Sequence, residues 1–77
     1  MALLRIKLVD ADTGAPIPFV TVGIGGYTVV TDTNGVAEID LPTGTYIIHA
    51  KPPFYRPLRE TVTCPGEYTF RLKSLLL

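Results

Sequence analysis

The stretch Thr31–Tyr46, TDTNGVAEIDLPTGTY, sets one alternating strand between two turn signals. Within it, apolar and acidic side chains alternate over Val36–Leu41, which is the pattern of a strand with one buried face. Asp32–Gly35 and Leu41–Tyr46 supply the aspartate, asparagine, proline and glycine that turns prefer. Two further turn signals lie outside this stretch, at Asp12–Pro16 and Pro65-Gly66. The spacing of the turns predicts a small all-β protein.

The apolar and β-branched runs between the turns predict seven strands, and no segment shows a helical apolar period. We expect these strands at Leu3–Val9, Ile17–Ile24, Tyr27–Thr31, Val36–Leu41, Thr45–Lys51, Leu58–Cys64 and Glu67–Lys73. A chain of 77 residues accommodates one domain. The prediction is a seven-stranded antiparallel β-sandwich over residues 1–77, with core strands in 1–73 and an apolar tail at 74–77.

The charge balance narrows the classes of partner. Seven acidic side chains balance seven basic ones, and binders of nucleic acid or anionic membranes normally carry a basic excess. Zero net charge also removes the repulsion that keeps copies of a protein apart. We therefore expect protein partners, either further copies of the chain or a larger assembly, and neither nucleic acid nor membrane.

Residue usage bears on the compartment and the source. The first charges come too early for a signal-peptide core, and no apolar run has transmembrane length. This favours a cytoplasmic location by default, or an extracellular or virion location if the chain is a fragment or a viral component. Glutamine is absent and asparagine occurs once, which hints at a thermophilic source. The single cysteine, Cys64, is expected to be a buried thiol.

One end of the predicted sandwich is the candidate interaction site. If every connection reverses the chain, the first, third and fifth connections and the C-terminus meet at the same end. The loop Pro52–Pro57 lies there, and its prolines stiffen the presentation of Phe54, Tyr55 and Arg56. Rigid aromatic residues beside an arginine are typical interface anchors. The alternative is that Phe54 folds back and caps the core.

Apolar residues in exposed positions extend this hypothesis. The tail ends in Leu75, Leu76 and Leu77, and burying a leucine side chain is worth about 1.5–3 kcal/mol. Phe19 and Ile47 lie at outward positions of two strands, which adds to the case for a partner surface. A frayed terminus is the alternative interpretation of the tail.

Catalytic and metal-binding groups are sparse. General acid–base catalysis requires titratable groups within reach of one another, and His49 is the single histidine. Asp10, Asp12, Asp32 and Asn34 invite a calcium interpretation, but these residue types also serve turns by hydrogen-bonding their own backbone. We expect no enzyme activity, no cofactor and no metal site.

Four segments resemble the carboxypeptidase regulatory-like domain: Val9–Ile17, Val20–Val22, Thr31–Gly35 and Leu41–Tyr46. The resemblance extends from the first strand to the last, and it implies a transthyretin-like Greek-key sandwich with an accessory, structural or binding role. The chain departs from the family at Phe54-Tyr55, where a Gly-Tyr pair is common. The motifs are turn chemistry, so they speak for the fold and say little about function.

Two relatives of that family have chemistry that this chain lacks. Adhesin domains that close a lysine–asparagine isopeptide bond resemble it, and Lys7 matches the lysine, but the last strand offers no acceptor and Ala50 stands where the acid is expected. Hydroxyisourate hydrolases of the transthyretin-related group need several histidines and a Tyr-Arg-Gly-Ser terminus. The chain instead ends Ser74-Leu75-Leu76-Leu77.

The sequence therefore predicts a non-enzymatic structural or protein-interaction module that assembles with itself, as in a filament, sheath or virion surface, or with a larger assembly. The alternative is an accessory domain that binds a glycan or peptide through the loop Pro52–Pro57. The absence of tryptophan disfavours a glycan platform. A transthyretin-like hydrolase is the most distant alternative.

Overall fold

A computed structural model describes residues 1–75 of the chain, and Leu76 and Leu77 lie outside the described residues. The strands are β1 (Ala2–Asp10), β2 (Thr21–Ile24), β3 (Tyr27–Val30), β4 (Val36–Leu41), β5 (Gly44–Ala50), β6 (Leu58–Cys64) and β7 (Gly66–Leu72). They form two sheets, with strand orders β4-β1-β7 and β3-β2-β5-β6. The predicted all-β fold of seven strands is confirmed. Nowhere in residues 1–75 is there a helix of the length and apolar character needed to cross a membrane.

Strand direction departs from the prediction at one pair. β1 runs antiparallel to β4 but parallel to β7, with Leu4 opposite Gly66 and Asp10 opposite Leu72. The expectation of an entirely antiparallel sandwich is wrong for this pair. Three reversals of the chain separate β1 from β4, whereas six separate it from β7. Because an even number of reversals restores the original direction, β7 must be parallel to β1 once the two are neighbours.

The second strand is shorter than predicted: it begins at Thr21, and Ile17–Val20 lies outside it. Proline has no N–H to donate to a strand ladder, and Phe19 follows Pro18 with a φ of 57°, in the left-handed region. The hydroxyl of Thr31 takes over the missing hydrogen bonding: it accepts from the Val20 N–H at 2.8 Å and donates to the Ile17 carbonyl at 3.0 Å. Thr31 is 1% exposed, so one buried threonine holds the entry to β2.

The core lies between the two sheets. β1 contributes Leu4, Ile6 and Leu8, all fully buried. β5 and β6 face them with Ile48 and Val62 from the other sheet. This alternation of buried and exposed residues is what a strand with one face on the core requires. The burial of these side chains supplies the main favourable free energy of folding.

The sulfur of Cys64 is also buried, as predicted. Its Sγ lies 3.8 Å from the Leu41 carbonyl oxygen and 3.4 Å from that of Ala2. The thiol therefore packs where β6 meets the end of β4 and the start of β1.

The connections on either side of β4 are closed by local hydrogen bonds. In the turn before it, Asp32 Oδ1 accepts from the N–H groups of Asn34 and Val36. Gly35 has a φ of 75°, and a Cβ there would lie 2.6 Å from the Leu8 carbonyl oxygen, so this position requires glycine. In the turn after β4, the Tyr46 hydroxyl donates to the Pro42 carbonyl at 2.7 Å. Both turns form where the sequence predicts them.

We expect Thr31→Val to lower the free energy of unfolding by about 1–3 kcal/mol, because the buried Val20 N–H loses its acceptor. Urea denaturation followed by circular dichroism measures the change. Thr61→Val is the matched control, since Thr61 is exposed on β6 and such surface changes stay within about 0.5 kcal/mol. Equal stability of the two variants would contradict the structural role of Thr31.

Candidate interaction surface

Four parts of the chain meet at the end of the sandwich where β1 finishes. Tyr55, from the connection between β5 and β6, donates its hydroxyl to Asp10 Oδ2 at 2.8 Å. Lys73, which follows β7, places its Nζ 3.1 Å from Asp12 Oδ1 in the connection after β1. In the turn before β4, the Gly35 carbonyl accepts from the Leu8 N–H at 2.8 Å. The expected convergence of these connections is observed, and residues 73–75, which follow β7, lie at the same end.

The loop Pro52–Pro57 and the residues after β7 pair through their backbones. The Arg56 N–H donates to the Lys73 carbonyl at 2.9 Å, and the Leu75 N–H donates to the Phe54 carbonyl at 2.8 Å. Between these bonds, Tyr55 and Ser74 form an antiparallel bridge. Residues 54–56 and 73–75 thus make a short two-stranded ladder that the sequence did not predict.

The ladder brings two exposed apolar side chains together. Phe54 is 66% exposed and Leu75 is 59% exposed, and their backbones share a hydrogen bond. We call these two residues the Phe54–Leu75 patch. Phe54 does not fold back over the core, and its φ of 69° lies in the left-handed region. A bulky residue rarely adopts this conformation, and it persists only where the surroundings enforce it.

The Tyr55 side chain points toward the core, on the side of the ladder opposite to Phe54. Its ring is half-buried and packs against the core. The hydrogen bond to Asp10 raises the pKa of the Tyr55 hydroxyl, and burial raises it further. The N–H groups of Thr13 and Asp12, followed by the Tyr55 hydroxyl, lower the pKa of Asp10. The bond therefore joins a protonated phenol to an ionised carboxylate across the neutral pH range.

Asp10 and Asp32 serve the backbone, as the turn interpretation predicts, whereas Asp12 pairs with Lys73. Asp10 Oδ1 accepts from the N–H groups of Asp12 and Thr13. The N–H groups of Val36 and Asn34 lower the pKa of Asp32 in the same way. Within residues 1–75 no group of three or more histidine, cysteine, aspartate or glutamate side chains is arranged to hold a metal ion.

The remaining candidate residues lie in different places. Arg56 is exposed in the ladder beside the patch. Phe19 is 70% exposed and precedes β2 at the same end of the sandwich, where its N–H donates to the Thr31 carbonyl. Ile47 lies in the middle of β5 on the outer face, beside a shallow depression of about 380 Å³ lined also by Arg59, Glu60 and Thr61. The structure thus gathers Phe54, Tyr55, Arg56 and Leu75, and leaves Ile47 apart.

The chain matches known proteins in sequence and in fold. Residues 1–58 match the family described as the C-terminal domain of a domain of unknown function, DUF8186. S-layer protein B of Metallosphaera sedula is 41% identical over 68 residues, which cover 84% of this chain and 16% of that protein.

Among solved structures, the chain is similar to one chain of a C-terminal interface mutant of a type II cohesin–X–dockerin complex from Acetivibrio cellulolyticus. That match has a TM-score of 0.65 and 27% identity, and it covers 92% of this chain and 52% of that one. The chain thus spans less than two thirds of each of these relatives.

Tyr55→Phe should lower the urea midpoint at about pH 6, where Asp10 is ionised, and the difference from the parent should shrink at about pH 2. The sign follows from the lowered pKa of Asp10. The ionised Asp10 carboxylate contributes fully to stability above the ordinary aspartate pKa of about 3.9. This contribution is lost as the pH falls through the lower pKa that Asp10 has in the folded protein.

Tyr68→Phe is the control for this pH dependence. The Tyr68 hydroxyl accepts from a backbone group, the Thr63 N–H, so the effect of Tyr68→Phe should not change between the two pH values. A Tyr55→Phe effect that is equally large at both pH values would contradict the role assigned to Asp10.

Proposed function

This chain belongs to the family of DUF8186 C-terminal domains, and on that premise we propose that it is a non-enzymatic structural module. It makes protein–protein contacts in a larger assembly of the S-layer type and associates with further copies of itself. The observation that carries the proposal is the Phe54–Leu75 patch, two exposed apolar side chains on paired backbones at one end of the sandwich.

The construction of the patch supports this function. Prolines stiffen the loop, the ladder ties it to the C-terminal residues, and the Tyr55–Asp10 bond anchors it to the end of β1. An anchor held in this way loses little conformational entropy when a partner binds. Burying Phe54 and Leu75 against a partner is worth about 1.5–3 kcal/mol for each side chain.

The relatives point in the same direction. One is an S-layer protein, and the other is a chain from a cohesin–X–dockerin complex. The match covers 16% of the S-layer protein, so the proposed role is that of a single module in such an assembly. Arg56 and the tail leucines Leu76 and Leu77 belong to the same proposed contact, together with Phe19 at the same end. Ile47 belongs to a separate apolar position on the outer face of β5.

The finer fold assignment is part of the proposal. We assign the chain to the transthyretin-like Greek-key sandwiches, as a single domain over residues 1–77 with an apolar tail at 74–77. The four crossings of the chain between the sheets, after β1, β3, β4 and β6, support this assignment. The parallel β1–β7 pair qualifies the antiparallel character of the fold.

Light scattering behind size exclusion, over a wide range of concentration, tests the proposal on the full chain, on a chain ending at Ser74 and on Phe54→Ala. At every concentration at which the full chain associates, it should have the highest mass of the three. Phe54→Ala should weaken association roughly 10- to 100-fold, which corresponds to the loss of one buried aromatic anchor.

Leu75→Ala and Leu3→Ala form the matched control pair. Both replace an exposed leucine, but Leu3 lies near the start of β1, away from the patch. Only Leu75→Ala should lower the mass. Phe54→Ala and Leu75→Ala variants that assemble like the parent would refute the proposed contact surface.

A further inference from the structure

The four strands at the edges of the two sheets are protected to very different degrees. Edge strands expose backbone N–H and C=O groups that pair readily with another strand, and charged side chains on the edge discourage such pairing. Three of the four edge strands, β4, β6 and β7, carry two charged residues each: Glu38 and Asp40, Arg59 and Glu60, Glu67 and Arg71. β3, with the sequence Tyr27-Thr28-Val29-Val30, carries neither a charge nor a proline.

Three of the four side chains of β3 are also exposed, and the fourth, Val29, is half-buried. Val30 is 57% exposed and Tyr27 is 49% exposed. Valine and tyrosine are both residue types that favour strands. Thr28 is exposed as well, opposite Gly23 on the outer face of the sheet. β3 is therefore an uncharged strand that lies at an edge and is accessible there.

Hydrogen bonds near the end of β3 show which backbone groups face outward. The Thr31 N–H donates to the Val20 carbonyl, and the Thr31 carbonyl accepts from the Phe19 N–H. Both groups of Thr31 therefore point to the side of β3 on which β2 and the residues before it lie. The direction of these groups alternates along a strand in an antiparallel ladder. The N–H and C=O groups of Val29 therefore point toward β2, as those of Thr31 do. The N–H and C=O groups of Thr28 and Val30 point the other way, out from the edge of the sheet.

We propose that β3 pairs antiparallel with β3 of a second copy, about a two-fold axis at Val29. Directly opposed residues in a ladder have their side chains on the same face of the sheet, whereas successive residues of a strand point to opposite faces. An axis between two successive residues would oppose residues from different faces. The axis therefore passes through a residue. An axis at Val29 places Thr28 of each copy opposite Val30 of the other copy. Their outward N–H and C=O groups then form four hydrogen bonds.

The occupant is a second copy because the strand is complementary to itself. The axis at Val29 puts valine against valine on the inner face and threonine against valine on the outer face. Strand-favouring β-branched side chains therefore meet, and no like charges are opposed. The chain has zero net charge, so two copies approach without repulsion. The two sheets of order β3-β2-β5-β6 would join into one sheet of eight strands.

This pairing deepens the self-association in the proposed function and rests on it, but it uses a different part of the molecule from the Phe54–Leu75 patch. Four residues per copy bury little surface, so the isolated dimer is weak. In an assembly that already holds copies side by side, the effective concentration compensates for the weak contact.

Thr28→Lys and Thr61→Lys test the proposal as a matched pair. Both place a lysine on the exposed face of an edge strand in the same sheet, one on β3 and one on β6. Sedimentation at increasing concentration should show the dimer for the parent and for Thr61→Lys, and its loss for Thr28→Lys. Identical behaviour of the two variants would overturn the proposal.

A cross-link provides a second measurement that does not rely on loss of assembly. Opposed residues such as Val29 and its copy lie about 4.5 Å apart between Cα atoms when they do not exchange hydrogen bonds, which is within disulfide range. Val29→Cys should therefore form a covalent dimer under mild oxidation, whereas Thr61→Cys should not. A Val29→Cys chain that stays monomeric on a non-reducing gel would refute the register.

The two proposals fail separately. The chain ending at Ser74 lacks Leu75 but keeps β3, so it should still form the β3 dimer. If Thr28→Lys abolishes that dimer while Phe54→Ala leaves association unchanged, the edge pairing stands and the patch falls. If Phe54→Ala weakens association while Thr28→Lys and Thr61→Lys behave alike, the patch stands and the edge pairing falls.

Discussion

The hydrogen bonding of β1 along both of its edges is the constraint on which the rest of the structure depends. β4 pairs with one edge and β7 with the other, while Leu4, Ile6 and Leu8 fill the core from its inner face. The carboxyl end of the strand is held just as firmly, because the Ala11 N–H donates to the Leu72 carbonyl. The connection after β1 therefore begins at a fixed point, and the other connections at this end pack against it. The candidate interaction surface can be rigid for this reason, although the domain is small.

Local signals in the sequence predict the strands well where the turn chemistry and the alternation agree. β4 and β6 have the predicted bounds, since each lies between clear turns and shows an alternating face. The start of β2 could not be predicted in this way, because it depends on the hydroxyl of Thr31, eleven residues from the Val20 N–H that it receives. The parallel pairing of β7 with β1 is also non-local. It follows from counting chain reversals only when the two strands are known to be neighbours.

The same division between local and distant information applies to the candidate surface. The meeting of the loop with the C-terminus could be predicted from the parity of the connections. The opposite orientations of Phe54 and Tyr55 could not, because they follow from the ladder with residues 73–75. Once a segment pairs as a strand, successive side chains point to opposite sides. Tyr55 therefore reaches inward to Asp10, 45 residues away, while Phe54 and Arg56 face solvent.

The unequal protection of the sheet edges bears on how the proposed association would avoid aggregation. A long uncharged edge would pair with any exposed strand, whereas β3 offers only four residues, and an isolated pair of this length is weak. Its length therefore limits affinity, and its lack of charge permits pairing. Contacts at the Phe54–Leu75 end would bring copies together first, and the edges would then meet at high local concentration. Two such weak contacts, if both form as proposed, would make association depend on the correct arrangement of neighbours, because neither contact would hold a misplaced copy by itself.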